Sequence, residues 1–298
     1  MLKYYLKGMR KMKEQEFSIK RNNDFELKDI FDCGQCFRWN KEADGSYTGV
    51  IKNGVMNVSC DKSNIYFKGI LNGDIEDIVT EYFDLNRDYS KIKHNLSKID
   101  KYMKASINYG SGIRILNQDL WEMIISYIIS ANNNIPRIKG IVEGLCKKYG
   151  KKIKFKNKDY YLFPTPEQLE HVTVSEYRAL GAGFRDIRLY ETTQAILNKE
   201  VDLVSLPGLN TQEAREKLLT LSGVGPKVAD CILLFSTLKR FDIFPIDVWV
   251  RRVMNDLYIQ NPDENKVSKK LINQIAFEKF GSLAGIAQQY LFYWKRES

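Results

Sequence analysis

The spacing of apolar residues divides the chain into two parts. In residues 17–70 apolar and polar positions alternate, as they do along residues 55–60. An alternation of period two predicts β-strands with one buried face. The pair Asn53-Gly54 separates two such segments and is typical of a type I′ hairpin turn. We therefore predict an antiparallel meander with one or two helices, ending near residue 107.

Beyond residue 107 the apolar residues recur with the spacing of an α-helix. One helical face consists of Leu120, Met123, Ile124, Tyr127 and Ile128. A second helix is predicted to begin at Asn134, with Pro136 in its first turn, and to end before Gly150. The patterns predict an α+β fold, in which an N-terminal antiparallel β-sheet domain, residues 1–110, packs on a mainly α-helical domain, residues 111–298.

Composition and charge narrow the class of partner. The 298 residues are 44% hydrophobic, which is enough for a globular core, and the formal net charge is +9. Lysine and arginine bind polyanions by releasing condensed counterions, so nucleic acid is the first candidate partner. A basic surface that is only solvated fits the composition equally well.

The cysteines indicate neither a disulfide framework nor a metal centre. There are five, an odd number spread along the chain, which is typical of reduced thiols. Cys33 and Cys36 form a CxxC pair, but no second pair lies nearby, and His94 and His171 are remote in sequence. A tetrahedral zinc site needs four such ligands, so we expect no metal.

Two features of the sequence indicate where in the cell the protein is expected. The longest apolar run, residues 120–129, is interrupted by Glu122 and is too short to span a bilayer. The basic start of the chain has neither the apolar core nor the cleavage site of a secretory signal. We expect a cytoplasmic protein with no membrane partner.

Residues 206–250 contain the most specific pattern. Asn210 with Glu213 three residues later predicts the start of a short helix, and Gly223, Gly225 and Pro226 predict a tight turn into the next. This is a helix-hairpin-helix motif at about residues 212–236. The two glycines let the backbone approach a phosphate, which the positive end of the second helix attracts. The alternative is a corner between helices that merely requires glycine.

Lys227 lies in the first turn of that second helix, and Cys231 and Phe235 follow on the same face. Desolvation and the helix terminus are expected to lower the pKa of Lys227 and leave a nucleophilic amine. A lysine that extends to solvent or to a phosphate fits the spacing equally well.

Asp247 follows Pro245 at the predicted N-terminus of another helix, where backbone N–H groups would keep its carboxylate ionised. A fixed anion there could stabilise positive charge that develops on a deoxyribose as a base departs. Taken alone, Asp247 is better explained as an ordinary N-cap, and only the nearby Lys227 favours a role in chemistry.

The segments GPKVADC and FPIDV resemble the helix-hairpin-helix Gly/Pro-Asp family of DNA glycosylases, whose catalytic lysine and aspartate match Lys227 and Asp247. Three further segments are similar to the 8-oxoguanine DNA glycosylase/lyase branch of this family. They are CGQCFRW at residues 33–39, residues 112–146, and GIAQQYLF at residues 285–292. The resemblance extends over residues 15–295.

The resemblance implies excision of 8-oxoguanine from duplex DNA opposite cytosine, with a Schiff base on Lys227 and cleavage of the strand. Gly34 would offer its carbonyl to the N7–H that normal guanine lacks. Cys231 and Phe292 would sandwich the flipped base, and Gln288 would bond its Watson–Crick edge. Spacing alone is equally compatible with Phe292 as a core aromatic.

Further roles on the DNA are implied by the same resemblance. Asn132 would fill the gap in the duplex, Arg137 and Arg185 would contact the orphaned cytosine, and Phe184 would wedge beside it. Gly223 and Gly225 would contact the DNA backbone. The expected partner is double-stranded DNA containing 8-oxoguanine, bound by a monomer.

The sequence departs from the family at three points. Trp249 stands where eukaryotic members have histidine, and Phe184 replaces a tyrosine. These changes put the phosphate contact and the wedge in doubt. The chain also lacks the four-cysteine cluster of endonuclease III-type relatives, so no cofactor is expected.

Two classes of alternative remain open. One is a glycosylase for another damaged base, such as an alkylated purine, or for adenine, although Lys227 argues against both. The other is a non-catalytic helix-hairpin-helix protein that only binds DNA, which predicts no covalent intermediate.

Overall fold

The structure is a computed structural model that describes residues 12–297. Residues 1–11, which include most of the segment assessed above for a secretory signal, lie outside the described residues.

The N-terminal part contains a five-stranded antiparallel sheet in the order β1-β5-β4-β3-β2. Its strands are β1 (Lys13–Lys20), β2 (Trp39–Lys41), β3 (Tyr47–Ile51), β4 (Gly54–Cys60) and β5 (Asn64–Leu71). Strands β2 to β5 form the predicted meander, and β1 adds to it by pairing with β5, Phe17 opposite Phe67. The prediction of an N-terminal antiparallel sheet is confirmed.

The turn between β3 and β4 differs from the prediction. Lys52 and Asn53 form the two-residue loop, and neither has a positive φ, so the predicted type I′ turn at Asn53-Gly54 is wrong. Asn53 is instead tied to Asn72, whose N–H donates to its carbonyl at 2.8 Å. Gly54, with φ +151°, begins β4, and a Cβ there would lie 2.0 Å from the Ile70 carbonyl oxygen.

Four helices, rather than the predicted one or two, belong to the first 110 residues. They are α1 (Leu27–Phe31), α2 (Ile75–Tyr82), α3 (Tyr89–Ser97) and α4 (Lys101–Tyr109). Asp74, Asp88 and Asp100 cap the last three by accepting hydrogen bonds from N–H groups of the first turn. These aspartates are the sequence signal that the prediction overlooked.

The remainder is mainly helical, as predicted. Its helices are α5 (Leu120–Ser130), α6 (Ile135–Tyr149), α7 (Val174–Ala179), α8 (Asp186–Leu197), α9 (Thr211–Leu219), α10 (Pro226–Phe235), α11 (Val248–Met254), α12 (Lys269–Phe280) and α13 (Ala284–Glu297). Helix α5 is buried along residues 120–129 and forms the centre of the core. The predicted ends of α6 are confirmed, because the Asn134 side chain accepts from the Arg137 N–H at 3.0 Å and Gly150 follows the last turn.

A short hairpin that the sequence patterns did not predict interrupts the helices. Strands β6 (Lys152–Phe155) and β7 (Lys158–Tyr161) pair with each other. Ile153 and Phe155 pack on Val50 and Val55 of the main sheet. The hairpin covers the sheet at β3 and β4, and every residue of β3 is buried.

The two parts of the chain share a core. Leu96, Met103 and Ile107 pack in the same apolar cluster as α5 and α10. The boundary between residues 110 and 111 stays a prediction, and the packing is continuous across it. Within the part of the chain that the structure describes, no helix combines the length and apolarity needed to cross a bilayer.

Candidate active site

Helices α9 and α10 form the predicted hairpin. Asn210 accepts from the Glu213 N–H at 3.0 Å, while Glu213 accepts from the Asn210 N–H at 2.9 Å, so the predicted start of α9 is confirmed. Arg215 of α9 pairs with Asp230 of α10 at 2.6 Å. This ion pair fixes the two helices relative to each other beside the turn.

The two glycines of the turn have different environments. Gly223 has φ +81°, and a Cβ there would lie 3.0 Å from the Arg188 side chain and 3.1 Å from Ile128. Gly225 is the N-cap of α10, is exposed, and has no atom within 4 Å of its built Cβ position. Gly223 is therefore required by conformation and packing, whereas Gly225 leaves the backbone open to an approaching group.

Lys227 lies one turn before Cys231 on α10, and its Nζ is 5.5 Å from the centroid of the Tyr127 ring. The pKa of Lys227 is raised above its ordinary value, because Cys231 favours the ammonium more than burial opposes it, and Asp247 adds to this effect. The predicted lowering of this pKa is thus wrong for the protein without DNA. Burial raises the pKa of the Cys231 thiol to about 11.

Asp247 is the N-cap of α11, as predicted. Its Oδ1 accepts a hydrogen bond from the Val250 N–H at 2.8 Å. Its charge contributes to the pKa of both Lys227 and Cys231, so these three side chains are electrostatic neighbours. The fold thus brings a lysine, a thiol and a fixed carboxylate together, although they lie up to 20 residues apart in sequence.

A second group of predicted residues meets beside this one. Gly34, with φ +89°, lies against α13, and a Cβ there would be 3.5 Å from the Phe292 ring. Gln288 and Phe292 line a narrow cavity together with Phe244 and Val253. The Oε1 atom of Gln288 is buried and has no hydrogen-bond partner among the described residues. A buried acceptor without a partner is costly unless a ligand satisfies it.

The loop between α5 and α6 presents Asn132. Asn132 is exposed and has φ +51°, which is uncommon for a residue with a side chain. Arg185 is buried beneath this loop and donates to the carbonyls of Ala131 at 2.8 Å and Asn132 at 2.7 Å. Arg137 is exposed and donates to the Gly181 carbonyl at 3.1 Å. A contact between Arg185 and an orphaned cytosine stays a prediction.

Phe184 is the prominent exposed aromatic of this surface, with 53% of its surface accessible. The guanidinium groups of Arg185 and Arg188 lie 4.2 Å and 5.3 Å from its ring centroid. Burial lowers the pKa of Arg185, and the nearby Arg137 and Arg188 lower it further. Arg188 was not identified from the sequence, although its i, i+3 spacing from Arg185 could have indicated it.

Trp249 and Val248 are exposed apolar residues directly after Asp247, with 38% and 60% of their surfaces accessible. They extend the solvent-facing apolar surface next to the lysine and its carboxylate. The sequence distinguishes Trp249 only as a departure from the histidine of eukaryotic members.

Two family models match the chain in succession. The model "8-oxoguanine DNA glycosylase, N-terminal domain" matches residues 18–124, and "HhH-GPD superfamily base excision DNA repair protein" matches residues 125–276. The chain belongs to the HhH-GPD superfamily. The resemblance inferred from its motifs is confirmed.

Relatives of this superfamily member align over most of the chain. The probable N-glycosylase/DNA lyase of Methanothermobacter thermautotrophicus is 32% identical, over 75% of this chain and 74% of the relative. The N-glycosylase/DNA lyase of Saccharomyces cerevisiae is 31% identical, over 89% and 82%. The structure of Clostridium acetobutylicum 8-oxoguanine glycosylase/lyase, in complex with double-stranded DNA containing cytosine opposite 8-oxoG, is 45% identical over 97% and 98%, with a TM-score of 0.88.

The thiols of this HhH-GPD protein do not form a metal centre in the described part of the chain. No group of three or more His, Cys, Asp or Glu side chains there could hold a metal ion. Cys33 and Cys36 are both buried, and burial raises the pKa of the Cys33 thiol to about 12. Neither thiol would readily become the thiolate that metals prefer. The absence of a cofactor stays an expectation.

Proposed function

We propose that this protein is a bifunctional DNA glycosylase and lyase that removes 8-oxoguanine from duplex DNA opposite cytosine. The observation that best supports catalysis is Lys227 at the start of α10, next to Cys231 and Asp247. A lysine in the first turn after a phosphate-binding hairpin is placed to meet the sugar of a bound strand. The relatives named as N-glycosylase/DNA lyases support the same reaction.

Lys227 acts as the nucleophile. Its Nζ attacks C1′ of the damaged nucleotide, the glycosidic bond breaks, and the departing base takes up a proton. A Schiff base with the opened sugar follows, and β-elimination then cleaves the strand on the 3′ side. The Asp247 carboxylate, held by the Val250 N–H, stabilises positive charge on the sugar ring. Since Lys227 rests as an ammonium, it must lose a proton before it attacks.

The damaged base lies between α10 and α13 in this proposal. The Gly34 carbonyl accepts the N7–H of 8-oxoguanine, where normal guanine has only a lone pair. Gln288 satisfies its unpartnered Oε1 on the Watson–Crick edge of the base. Phe292 and Cys231 pack on the two faces of the base.

The surface around Phe184 holds the distorted duplex. Phe184 wedges beside the orphaned cytosine, Asn132 fills the space of the flipped nucleotide, and Arg137 and Arg185 contact the cytosine. Gly223 and Gly225 approach the DNA backbone. The protein acts as a monomer in the cytoplasm, on the nucleoid if its source is a bacterium, with residues 1–110 and 111–298 as its two domains.

Borohydride trapping tests the proposal. The wild type and Lys227→Gln are incubated with duplexes that hold 8-oxoguanine opposite each of the four bases, and then reduced. We expect a covalent adduct only with the wild type, strongest opposite cytosine, while Lys227→Gln keeps its DNA affinity. Absence of both adduct and base release would favour a non-catalytic DNA-binding protein or another lesion.

A further inference from the structure

The loop that contains Gly34 is held by side chains from distant parts of the chain. The carbonyls of Cys33, Gly34 and Gln35 follow one another in this loop. Side chains donate to the first and the third. No donor among residues 12–296 bonds to the carbonyl of Gly34. The loop therefore has its middle acceptor available and both neighbours occupied.

Gln289 occupies the first of these carbonyls. Its Nε2 donates to the Cys33 oxygen at 2.7 Å, and the side chain is only 2% exposed. Gln289 follows Gln288 directly on α13, the helix that also contains Phe292. The bond thus joins the loop to the helix that lines the proposed base pocket.

Gln118 and Tyr127 occupy the third carbonyl. Gln118 Nε2 donates to the Gln35 oxygen at 2.8 Å and to the Phe235 oxygen at 3.1 Å. The Tyr127 hydroxyl approaches the Gln35 oxygen at 3.5 Å. Phe235 ends α10, so Gln118 connects the Gly34 loop to the helix that bears Lys227.

The Gln35 side chain completes this network. It is fully buried and donates to the carbonyls of Ile30 and Arg114, both at 2.8 Å, while its Oε1 accepts from the Leu116 N–H at 2.9 Å. Both amide hydrogens and the oxygen of the Gln35 side chain are thus bonded to backbone groups of neighbouring segments. Fully satisfied buried networks fix one arrangement of the backbone.

We propose that Gln289 and Gln118 are positioning residues for lesion recognition: by bonding the carbonyls on either side of Gly34, they fix the direction of the Gly34 carbonyl between them. This inference rests on the proposed function, in which that acceptor distinguishes 8-oxoguanine from guanine. The distinction depends on a single hydrogen bond, whose strength falls steeply with misplacement. Loss of either glutamine donor would allow the loop to rotate and present a different carbonyl.

The test uses substitutions that keep the side-chain length but remove the donor, Gln289→Met and Gln118→Met. Single-turnover excision of 8-oxoguanine opposite cytosine is measured beside strand cleavage at a preformed abasic site in the same duplex. Cleavage at the abasic site requires Lys227 but no base, so it does not depend on the Gly34 carbonyl. Gln274→Met, at an exposed position on α12, is the matched control.

We expect each variant to lose at least about tenfold in excision, which corresponds to about 1.4 kcal/mol, with abasic-site cleavage nearly unchanged. Gln289→Glu keeps the shape of the side chain but places oxygen against the Cys33 carbonyl, so its loss should be larger. In a Lys227→Gln background, Gln289→Met should also reduce the preference for 8-oxoguanine over guanine in binding.

Three other outcomes would overturn the inference. Normal excision by both methionine variants would show that the flanking carbonyls need no donor. A parallel fall of excision and abasic-site cleavage would indicate a merely structural role. If the wild-type protein releases no 8-oxoguanine, the proposed function is wrong, and the inference that rests on it is wrong as well. If one of the variants fails to fold, the other decides, because they act on opposite sides of Gly34.

Discussion

Lys227 must attack as a neutral amine, but in the protein without DNA it is an ammonium. Its pKa is raised because Cys231, and to a lesser degree Asp247, favour the ammonium over the opposing effect of burial. The ammonium is therefore the form present in the protein before reaction. Chemistry then requires the neutral amine. One side chain thus needs both protonation states within one catalytic cycle.

Because Lys227 must lose a proton before it attacks, we expect the rate of base excision to rise with pH. Below a raised pKa the fraction of neutral amine increases about tenfold per pH unit, so single-turnover excision should increase steadily from about pH 6 to pH 9. The Cys231 thiol, with a pKa of about 11, is uncharged over this range, so Asp247 supplies the negative charge that favours the ammonium. Asp247→Asn removes that charge and should shift the profile to lower pH, even if the maximal rate falls. Rates measured under enzyme excess in both proteins check this. A flat profile in the wild type would contradict it.

At the level of elements, the hairpin of α9 and α10 contains two glycines with different structural roles. Gly223 has a left-handed backbone and is packed against Arg188 and Ile128. Gly225 has φ −87° and ψ 177° at the start of α10, a conformation that any residue can adopt. The first therefore maintains the turn, and the second keeps the backbone accessible.

Substitution of each glycine by alanine should distinguish these two roles by its effect on the free energy of unfolding. Gly223→Ala is expected to lower the free energy of unfolding by about 1–3 kcal/mol, through strain and overpacking. Gly225→Ala should cost less than about 1 kcal/mol, because its side chain meets open space and only the N-cap preference is lost. Urea denaturation measures both. Equal losses of stability would mean that packing at Gly223 is not what the turn requires.

Helices and strands could be predicted from the sequence where a capping residue was present or where apolar residues recurred with a regular spacing. Asn134 and Asn210 began helices as expected, because an N-cap needs only its own first turn. The β6–β7 hairpin was missed because its apolar residues, Ile153 and Phe155, pack on strands about 100 residues earlier. Motifs likewise indicated Lys227 and Asp247. Gln289 donates to the carbonyl of Cys33, 256 residues away in sequence, and no motif near Gln289 predicts this bond.

On the scale of the whole molecule, the net charge of +9 raises the question of where DNA binding is concentrated. Arg137 and Arg188 lower the pKa of Arg185, and the guanidinium groups of Arg185 and Arg188 lie over the exposed Phe184 ring. Like charges placed so close together repel, which is compensated when phosphates enter between them. Lysines of the β6–β7 hairpin are also exposed, but they lie on the element that covers the N-terminal sheet.

The salt dependence of binding distinguishes a located cationic site from a diffuse one. Each phosphate contact contributes about 0.9 to the slope of log K against log salt concentration on duplex DNA. If Arg188 binds a phosphate beside Phe184, Arg188→Ala in a Lys227→Gln background should reduce that slope by about one. Lys154→Ala removes the same charge from the exposed side of β6 and should leave the slope unchanged. Fluorescence anisotropy at several salt concentrations compares the two, and equal reductions would mean that the whole basic surface, rather than the arginine cluster, attracts DNA.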